Sequence, residues 1–324
     1  MPLTKPFIKR DLILKIWSAV LLLGGVSYLL ASAAIFSVTL ATIAATTIFF
    51  VCVNLLESPP PPRELSLGSP PRESEKKPAL ILLVCITPAL LAFCFPHYIL
   101  NGYNDSGGYL AVSANVSSAG SFKMESASLG RVGDELPAGS IIDFPGFESK
   151  NGPEYKYTRL LPSLAANLYS LGGVEAATRL NALLAPLVLY TLFKLCRTVS
   201  SFWPSLAVLV LLAFNPAFLF SARTLMPEVL MLGLCSLSLY LAHLTIERSD
   251  RVLGILSGVV FALAVYNRPD GILLYFGLSG FAIHAVALGE DRLKPFLWAL
   301  RSSLVFVGLS LVVFGLESPT FARN

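Results

Sequence analysis

Residues 79–105 read ALILLVCITPALLAFCFPHYILNGYND, an uncharged apolar run that ends in a polar segment headed by Asn104 and Asp105. A run of about 20 apolar residues is long enough to cross the hydrocarbon core of a bilayer as one helix. Similar runs recur along the chain, in which 55% of the residues are hydrophobic and only 14% are charged. In soluble domains about a quarter of the residues are charged. The sequence therefore predicts an all-α, polytopic membrane protein, because helices satisfy their backbone hydrogen bonds inside lipid.

Three regions are predicted along the chain. Residues 12–56 are apolar and predict two crossings that turn near 31–37, so 1–56 forms an N-terminal helical hairpin. Residues 57–78 form a Pro-rich cytoplasmic linker, for which polyproline structure or disorder is expected. Residues 79–324 form the main module, with an outer loop at 101–173. Its predicted crossings, which bring the total to about nine, cover 79–100, 174–193, 203–220, 228–243, 252–266, 272–288 and 296–316.

Positively charged residues indicate how these helices are oriented. Short loops rich in Lys and Arg stay in the cytoplasm, whereas long loops are translocated largely regardless of charge. If the N-terminus is cytoplasmic, every short basic cluster lies on the cytoplasmic side: Lys5, Lys9, Arg10; Arg63, Arg72, Lys76, Lys77; Lys194, Arg197; Arg248, Arg251; and Arg292, Lys294. The loop 101–173 and the links near Arg223 and Arg268 then face the periplasm of a bacterial inner membrane. The net charge of +4 is spread over these loops, so topology explains it better than nucleic-acid binding.

The cysteines and histidines do not form a recognisable metal or disulfide pattern. All five cysteines lie in apolar runs without a CxxC pair, so we interpret them as small buried residues. His97, His243 and His284 are scattered along the chain and are interpreted as structural. Arg179 and Asn181, near the outer end of a predicted crossing, are interpreted as helix anchors. The N-terminal basic residues resemble a signal peptide, but the apolar run behind them is far too long for one.

Two helices with one apolar face each are predicted in the outer loop, lying flat on the membrane surface. The first begins at Asp105 and carries apolar residues at roughly helical spacing: Tyr109, Leu110, Val112 and Val116. The second carries a stripe of leucines behind Glu154, Lys156 and Arg159: Leu160, Leu161, Leu164, Leu168 and Leu171. Asp105 suits a helix N-cap as well as a catalytic carboxylate. Lys156 and Arg159 suit a phosphate contact, and equally suit ordinary cations at headgroup depth.

Three more charged residues flank the other outer links. Pro227 is well placed as the first residue of a helix, and Glu228 then lies in its first turn, where the helix dipole favours a carboxylate. Arg223 precedes this turn, and Arg268 precedes a Pro-Asp-Gly turn without being needed for it. Ionisable residues at the edge of an apolar bundle are costly and are therefore functional candidates. Because these residues lie on the same side of the membrane as Asp105, we expect the acids and cations to converge on one site. There, carboxylates can act as bases or ligate a divalent cation, and the cations can neutralise a phosphate.

Several short motifs occur in a fixed order. An outward Asp105 before a Tyr-containing helix is followed by EAATRLNAL at 175–183, Asn215-Pro216, SARTLMPE at 221–228 and YNRPDG at 266–271. This order resembles the GT-C class of membrane glycosyltransferases, and within it the bacterial branch related to protein mannosyltransferases and the aminoarabinose transferase of lipid A. Each motif is loose, and their order and spacing over residues 79–316 carry the resemblance.

The resemblance implies transfer of a sugar from a polyprenyl-phosphate donor to a hydroxyl of a lipid, glycan or protein on the periplasmic side. By position, Asp105 is similar to the first-loop acid of the family, which serves as catalytic base or metal ligand, and Glu228 is similar to the second-loop acid. Both would ligate a divalent cation, Mg²⁺ or Mn²⁺, if the reaction uses one. The candidate phosphate-binding residues are Lys156, Arg159, Arg223 and Arg268.

Two departures from the family pattern leave other functions open. The crossings at 12–56 are extra, and relatives continue beyond the point where this chain ends, so it resembles a member truncated at the C-terminus. A transporter or flippase of lipid-linked sugars would place ionisable residues near the bilayer midplane and contain broken helices. An inactive relative that acts as an assembly partner would copurify with other subunits and show no turnover.

Overall fold

The computed structural model describes residues 12–33, 35–55, 78–95, 105–122, 159–248 and 250–268, and single positions between 297 and 308. The predicted linker up to residue 77 and the predicted crossing at 272–288 lie outside these ranges, as does most of 296–316. Within the described ranges every regular element is a helix, which confirms the all-α prediction there. In chain order the helices are α1 (Leu12–Ser32), α2 (Val38–Leu55), α3 (Pro78–Cys94), α4 (Asp105–Ala119), α5 (Leu160–Thr178), α6 (Leu180–Val199), α7 (Phe202–Ala213), α8 (Pro216–Arg223), α9 (Pro227–Arg248) and α10 (Arg251–Asn267).

Several helices are apolar and long enough to cross a membrane. Three qualify singly by length and composition, at Leu14–Ser32, Leu180–Val199 and Pro227–Arg248. A fourth is formed if the bent pair α7 and α8 counts as one crossing. Shorter apolar helices occur at Val38–Thr47, Leu83–Cys94 and Arg251–Asn267. These helices identify an integral membrane protein, and the total of about nine crossings stays a prediction.

The chain folds as two compact units whose segments interleave along the sequence. Unit 1 comprises 1–62, 93–181 and 223–226, and unit 2 comprises 63–92, 182–222 and 227–324. The sequence instead predicts three continuous regions, with boundaries after residues 56 and 78. That division stays a prediction.

In unit 1, α4 is enclosed by protein on all sides. Every residue from Ser106 to Val116 is buried, and Tyr109 is only 3% exposed. The prediction of a helix lying flat on the membrane is therefore wrong for α4. The residues between its apolar positions are mostly serine, alanine and glycine, which are small enough for α4 to pack against neighbours on every face.

Helix α5 is also packed inside unit 1 over its first half. Leu160, Leu161 and Leu164 are buried, whereas Leu171 near the far end of the stripe is 75% exposed. The partners are α4, through a hydroxyl contact of 2.7 Å between Ser117 and Ser170, and α1. The leucine stripe of the predicted surface helix thus faces protein where α5 begins, and that prediction is wrong there.

The N-terminal helix α1 forms part of the packing around α5. The side-chain amide of Asn167 donates a hydrogen bond of 2.9 Å to the hydroxyl of Ser27. Gly24 lies so close to α5 that a Cβ on it would come within 3.0 Å of Leu164. The backbone of Phe36, just before α2, donates to the carbonyl of Gly120 at 3.1 Å. The predicted N-terminal hairpin region therefore belongs to the core of unit 1.

A kink and a turn separate α5 from the next membrane helix. Gly172 and Gly173 have non-helical backbone angles, and Gly173 has a φ of +63°, which a residue with a side chain rarely adopts. A short helical stretch follows, and the chain turns at Arg179 before α6 begins at Leu180. The predicted start of this crossing at residue 174 is therefore six residues too early, because the glycine pair and the turn interrupt the apolar run.

The predicted crossing at 203–220 is broken into α7 and α8, which meet at an angle of 58°. Pro216 lacks an N–H and is tolerated in the first turn of a helix, which α8 starts with. The side-chain oxygen of Asn215 accepts a hydrogen bond of 2.8 Å from the amide of Ala217, so it caps α8. The Asn-Pro motif therefore ends one helix and starts the next.

In unit 2, α9 and α10 form a tightly packed helical hairpin. The side chain of Asp250 accepts hydrogen bonds from Val252 and Leu253, which caps α10 directly after α9 ends. Helix α10 contains buried small residues such as Gly254, Gly258 and Ala262, and small residues allow close helix approach in membranes. A hydrophobic cluster fills the space nearby: Ala242, Phe261, Ala262, Val265 and Val307.

Candidate active site

The charged residues Glu228 and Arg268 form an ion pair at the open end of the α9–α10 hairpin. Glu228 is the second residue of α9, after Pro227 at the first position as the sequence predicts. Arg268 directly follows α10 and donates from Nη1 to Oε1 of Glu228. The two side chains are 35% and 37% exposed, so the pair lies at the boundary between the packed hairpin and its surroundings. Neither helix alone would bring these two residues together.

A second bond lies beside the ion pair. The side-chain amide of Asn267 donates to the carbonyl of Pro227 at 3.1 Å, and Asn267 is 1% exposed. Each helix end therefore contributes two consecutive residues, one to a buried amide bond and one to the ion pair. This arrangement holds the arginine and the carboxylate in a fixed mutual orientation.

The two carboxylate oxygens of Glu228 differ in their hydrogen-bond partners. Oε2 is buried and has no hydrogen-bond partner among the described residues. A carboxylate oxygen can accept hydrogen bonds from hydroxyl or amine donors, and leaving such a buried acceptor unmet is costly. Glu228 thus presents one oxygen to Arg268, while the other is without a partner among the described residues.

Arg223 contacts the end of α3 within unit 1. Its Nε donates to the carbonyl of Phe95 at 2.6 Å. Arg179 also contacts the end of α3. Its guanidinium lies 5.1 Å from the ring of Phe93, and its Nε donates to the Phe93 carbonyl at 3.4 Å. Cations at a helix C-terminus satisfy carbonyls that lack helical partners and complement the helix dipole. These contacts give Arg223 a structural role, while its binding of phosphate stays a prediction.

Asn181 fixes the turn that precedes α9 in the chain. Its side-chain amide donates to the carbonyls of Thr224 and Met226, both at 2.7 Å, and the residue is fully buried. The interpretation of Asn181 as an anchor of its own helix end is too narrow, since it ties α6 to a turn more than 40 residues away. The only signal in the sequence is an amide residue within an apolar helix.

The other predicted site residues are placed as follows. Asp105 is the first residue of α4, and its side chain lies outside the described part of the structure. Arg159 is the residue before α5, where its guanidinium lies 5.0 Å from the ring of Phe122. Lys156 lies outside the described residues. The structure therefore brings together Glu228 and Arg268 of the predicted set, and the convergence of the others with them stays a prediction.

No group of three or more potential metal ligands among His, Cys, Asp and Glu occurs in the described residues. The side chain of Asp105 is not part of that set. Ligation of a divalent cation by Asp105 and Glu228 therefore stays a prediction, and the unmatched Oε2 of Glu228 is the feature that suits it, because Mg²⁺ and Mn²⁺ prefer oxygen ligands.

Residues 161–314 match the family model of the dolichyl-phosphate-mannose-protein mannosyltransferases. Over this segment, the chain is similar to that family. The resemblance to protein mannosyltransferases is thereby confirmed, and the apolar helices identify an integral membrane protein. The mannosyltransferase-family segment includes nearly all of α5 and the whole of α6 to α10, and hence the Glu228–Arg268 pair. No curated protein and no solved structure matches the chain significantly.

Proposed function

We propose that the protein transfers a sugar from a polyprenyl-phosphate donor to a hydroxyl of a lipid, glycan or protein acceptor. The proposed orientation has a cytoplasmic N-terminus and a periplasmic active face in the inner membrane of a bacterium. The observation that carries the proposal is the Glu228–Arg268 pair within the mannosyltransferase-family segment. A fixed arginine beside a carboxylate suits a reaction in which a phosphate leaves and a hydroxyl is activated.

The reaction forms one glycosidic bond and breaks one sugar–phosphate bond. The acceptor oxygen attacks the anomeric carbon, its proton passes to a carboxylate, and polyprenyl phosphate leaves with the bonding electrons. Asp105 is the proposed base, and Arg268 with Lys156 balances the charge on the leaving phosphate, where preorganised charges are most effective. Arg159 and Arg223 are further candidates for the phosphate, although each makes a structural contact already.

Glu228 has two roles in this proposal. Its Oε1 holds Arg268 in the orientation that meets the phosphate, and charge-assisted pairs of this kind are geometrically specific. Its Oε2 accepts a hydroxyl of the sugar or ligates a divalent cation together with Asp105. Chelation separates these two uses of Oε2: a cation site predicts loss of turnover in EDTA and recovery with Mg²⁺ or Mn²⁺, whereas a hydroxyl contact predicts turnover that does not respond.

One observation favours the alternative of a transporter of lipid-linked sugars. The bent pair α7 and α8 is a broken helix of the type found in transporters. Against that reading, Glu228 and Arg268 lie at helix ends rather than in the middle of an apolar helix. Transport would move the intact donor across a vesicle membrane, whereas transfer would release polyprenyl phosphate.

The test is turnover of a panel of polyprenyl-phosphate sugars by the purified protein in lipid nanodiscs, with acceptor extracts present. Free polyprenyl phosphate is measured by mass spectrometry. We expect release with at least one donor, and a loss of about a hundredfold in Glu228→Gln, because a misplacement of Arg268 by about 1 Å can cost that much. Glu247→Gln is the matched control, because Glu247 lies on the same helix and is 57% exposed at its other end. Equal turnover in both variants would exclude Glu228 from the reaction, and no turnover with any donor would favour the assembly partner.

A further inference from the structure

Two buried serines join the middle of the α9–α10 hairpin. The hydroxyl of Ser238 donates to the carbonyl of Ser257 at 2.9 Å, and the hydroxyl of Ser257 donates to the carbonyl of Ser238, also at 2.9 Å. Both residues are fully buried. The two bonds are reciprocal, so each serine contributes one donor and one acceptor to the same contact between the helices.

This contact lies at nearly the same distance along both helices from the ion pair. Ser238 follows Glu228 by ten residues, and Ser257 precedes Arg268 by eleven residues. At a rise of 1.5 Å per residue, both serines lie about 15 Å from the hairpin's open end. The serine contact and the Asn267–Pro227 bond therefore form together in one axial alignment of α9 and α10.

That alignment decides whether Glu228 and Arg268 can meet. A shift of one residue between helices moves a side chain by about 1.5 Å along the axis and rotates it by about 100°. The hydrophobic effect does not favour one alignment of two helices in lipid, because lipid tails are as apolar as leucine, and packing and interhelical hydrogen bonds act instead. Directional hydrogen bonds between buried polar groups discriminate more strongly between alignments.

We propose that Ser238, Ser257 and Asn267 are positioning residues that set the axial register of α9 against α10 and thereby bring Arg268 to Glu228. The catalytic relevance of this register rests on the proposed function. The register itself is a property of the hairpin and can be tested without turnover.

The chain provides a matched control for the serine contact. Ser236 lies on α9 two residues from Ser238, is 2% exposed, and donates its hydroxyl to the carbonyl of Leu232 in its own helix at 2.8 Å. Ser236→Ala removes the same atom from an equally buried site without touching the bonds between helices. A difference between Ser238→Ala and Ser236→Ala therefore reports the interhelical bonds rather than loss of a hydroxyl.

The first experiment measures the register directly. Glu228→Cys and Arg268→Cys are combined, and a short bifunctional thiol reagent is applied to the full-length protein in nanodiscs. Mass spectrometry of the linked peptide pair distinguishes this cross-link from any that involves native cysteines. We expect Ser238→Ala with Ser257→Ala to lower the yield by about three- to twentyfold, the range of hydrogen-bond energies measured between membrane helices. Asn267→Ala should also lower it, whereas Ser236→Ala should leave it unchanged.

The second experiment uses the enzyme with its native Glu228 and Arg268. If Ser238→Ala misplaces Arg268, the KM for the donor rises several-fold while the KM for the acceptor does not change. Partial unfolding would instead lower the apparent kcat at constant KM. If the double serine variant does not purify, Ser238→Ala and Asn267→Ala carry the same tests singly.

The outcomes separate the two proposals. An unchanged cross-link yield in the serine and asparagine variants overturns the register proposal, whatever the activity. A lowered cross-link yield in a protein that turns over no donor supports the register proposal and contradicts the proposed function. A lowered yield without a change in the donor KM shows that the register exists but does not position the phosphate-binding arginine.

Discussion

Asn181 donates a hydrogen bond of 2.7 Å to the backbone carbonyl of Met226, the residue directly before α9. The same side chain reaches the carbonyl of Thr224 at 2.7 Å, so one buried amide satisfies two carbonyls of an irregular turn. Carbonyls in such a turn have no helical partners and must be paired by other backbone or side-chain donors. The Thr224 carbonyl also accepts from the backbone amide of Met226 at 3.0 Å. The turn that leads into Glu228 is therefore defined by a residue far away in the sequence.

Replacing this amide should destabilise the protein. We expect Asn181→Ala to cost about 1–3 kcal/mol, because the carbonyls of Thr224 and Met226 both lose a side-chain donor. Thermal unfolding in detergent measures the effect. Thr198→Ala is the control, since Thr198 lies on the same helix and its hydroxyl bonds only locally to the carbonyl of Leu195 at 2.7 Å. Equal unfolding temperatures for the two variants would contradict the assigned role.

Glu228 and Arg268 should show coupling in a double-mutant cycle. Arg268→Gln alone leaves a carboxylate with a buried oxygen and no cation, whereas Glu228→Gln with Arg268→Gln removes both charges. Because both side chains are more than a third exposed, we expect a coupling energy of only about 1 kcal/mol. Unfolding of the four proteins under the same conditions measures it, and additive losses would argue against a specific pair.

The close approach of α1 to α5 predicts that two adjacent glycines of α1 differ in how well they tolerate a larger side chain. Gly24→Leu should be poorly tolerated, because even a Cβ would lie 3.0 Å from Leu164, and overpacking a core costs about 1–3 kcal/mol. Gly25→Leu is the matched control, since no other part of the described structure, apart from the nearby backbone of α1 itself, lies within 4 Å of the position of its Cβ. Monodispersity and thermal unfolding provide the comparison. Similar behaviour of both variants would mean that α1 does not pack against α5 as described.

Asp105 should be required for transfer but not for folding. We expect Asp105→Asn to lower transfer by about a hundredfold or more, as loss of a general base does, while the unfolding temperature changes little. Asparagine also serves as a helix N-cap, so the variant retains a capping side chain. Retained activity would remove Asp105 from the proposed mechanism, and a large loss of stability would point to a purely structural role.

The membrane character, the start of α9 and the approximate bounds of α10 could be predicted from the sequence, since length, hydropathy and the Pro227–Glu228 start are local signals. That Glu228 and Arg268 share one side of the membrane could also be predicted, but their direct ion pair could not, because residues 40 positions apart pair only in one register of two helices. The burial of α4 was missed for a different reason. The spacing of its apolar residues predicts one apolar face. The serines and alanines between them can face lipid, water or another helix, and their environment depends on tertiary packing.

The packing of α1 against α5 limits how far the chain can be shortened at its N-terminal end without loss of function. The mannosyltransferase-family segment starts inside α5 and does not include residues 12–32, so a version trimmed to that segment would lose the partner of Asn167 and Leu164. Such a trimmed protein would expose a polar amide to lipid at the place where α1 now covers it. Any shortened form intended for biochemistry should therefore keep the first helix.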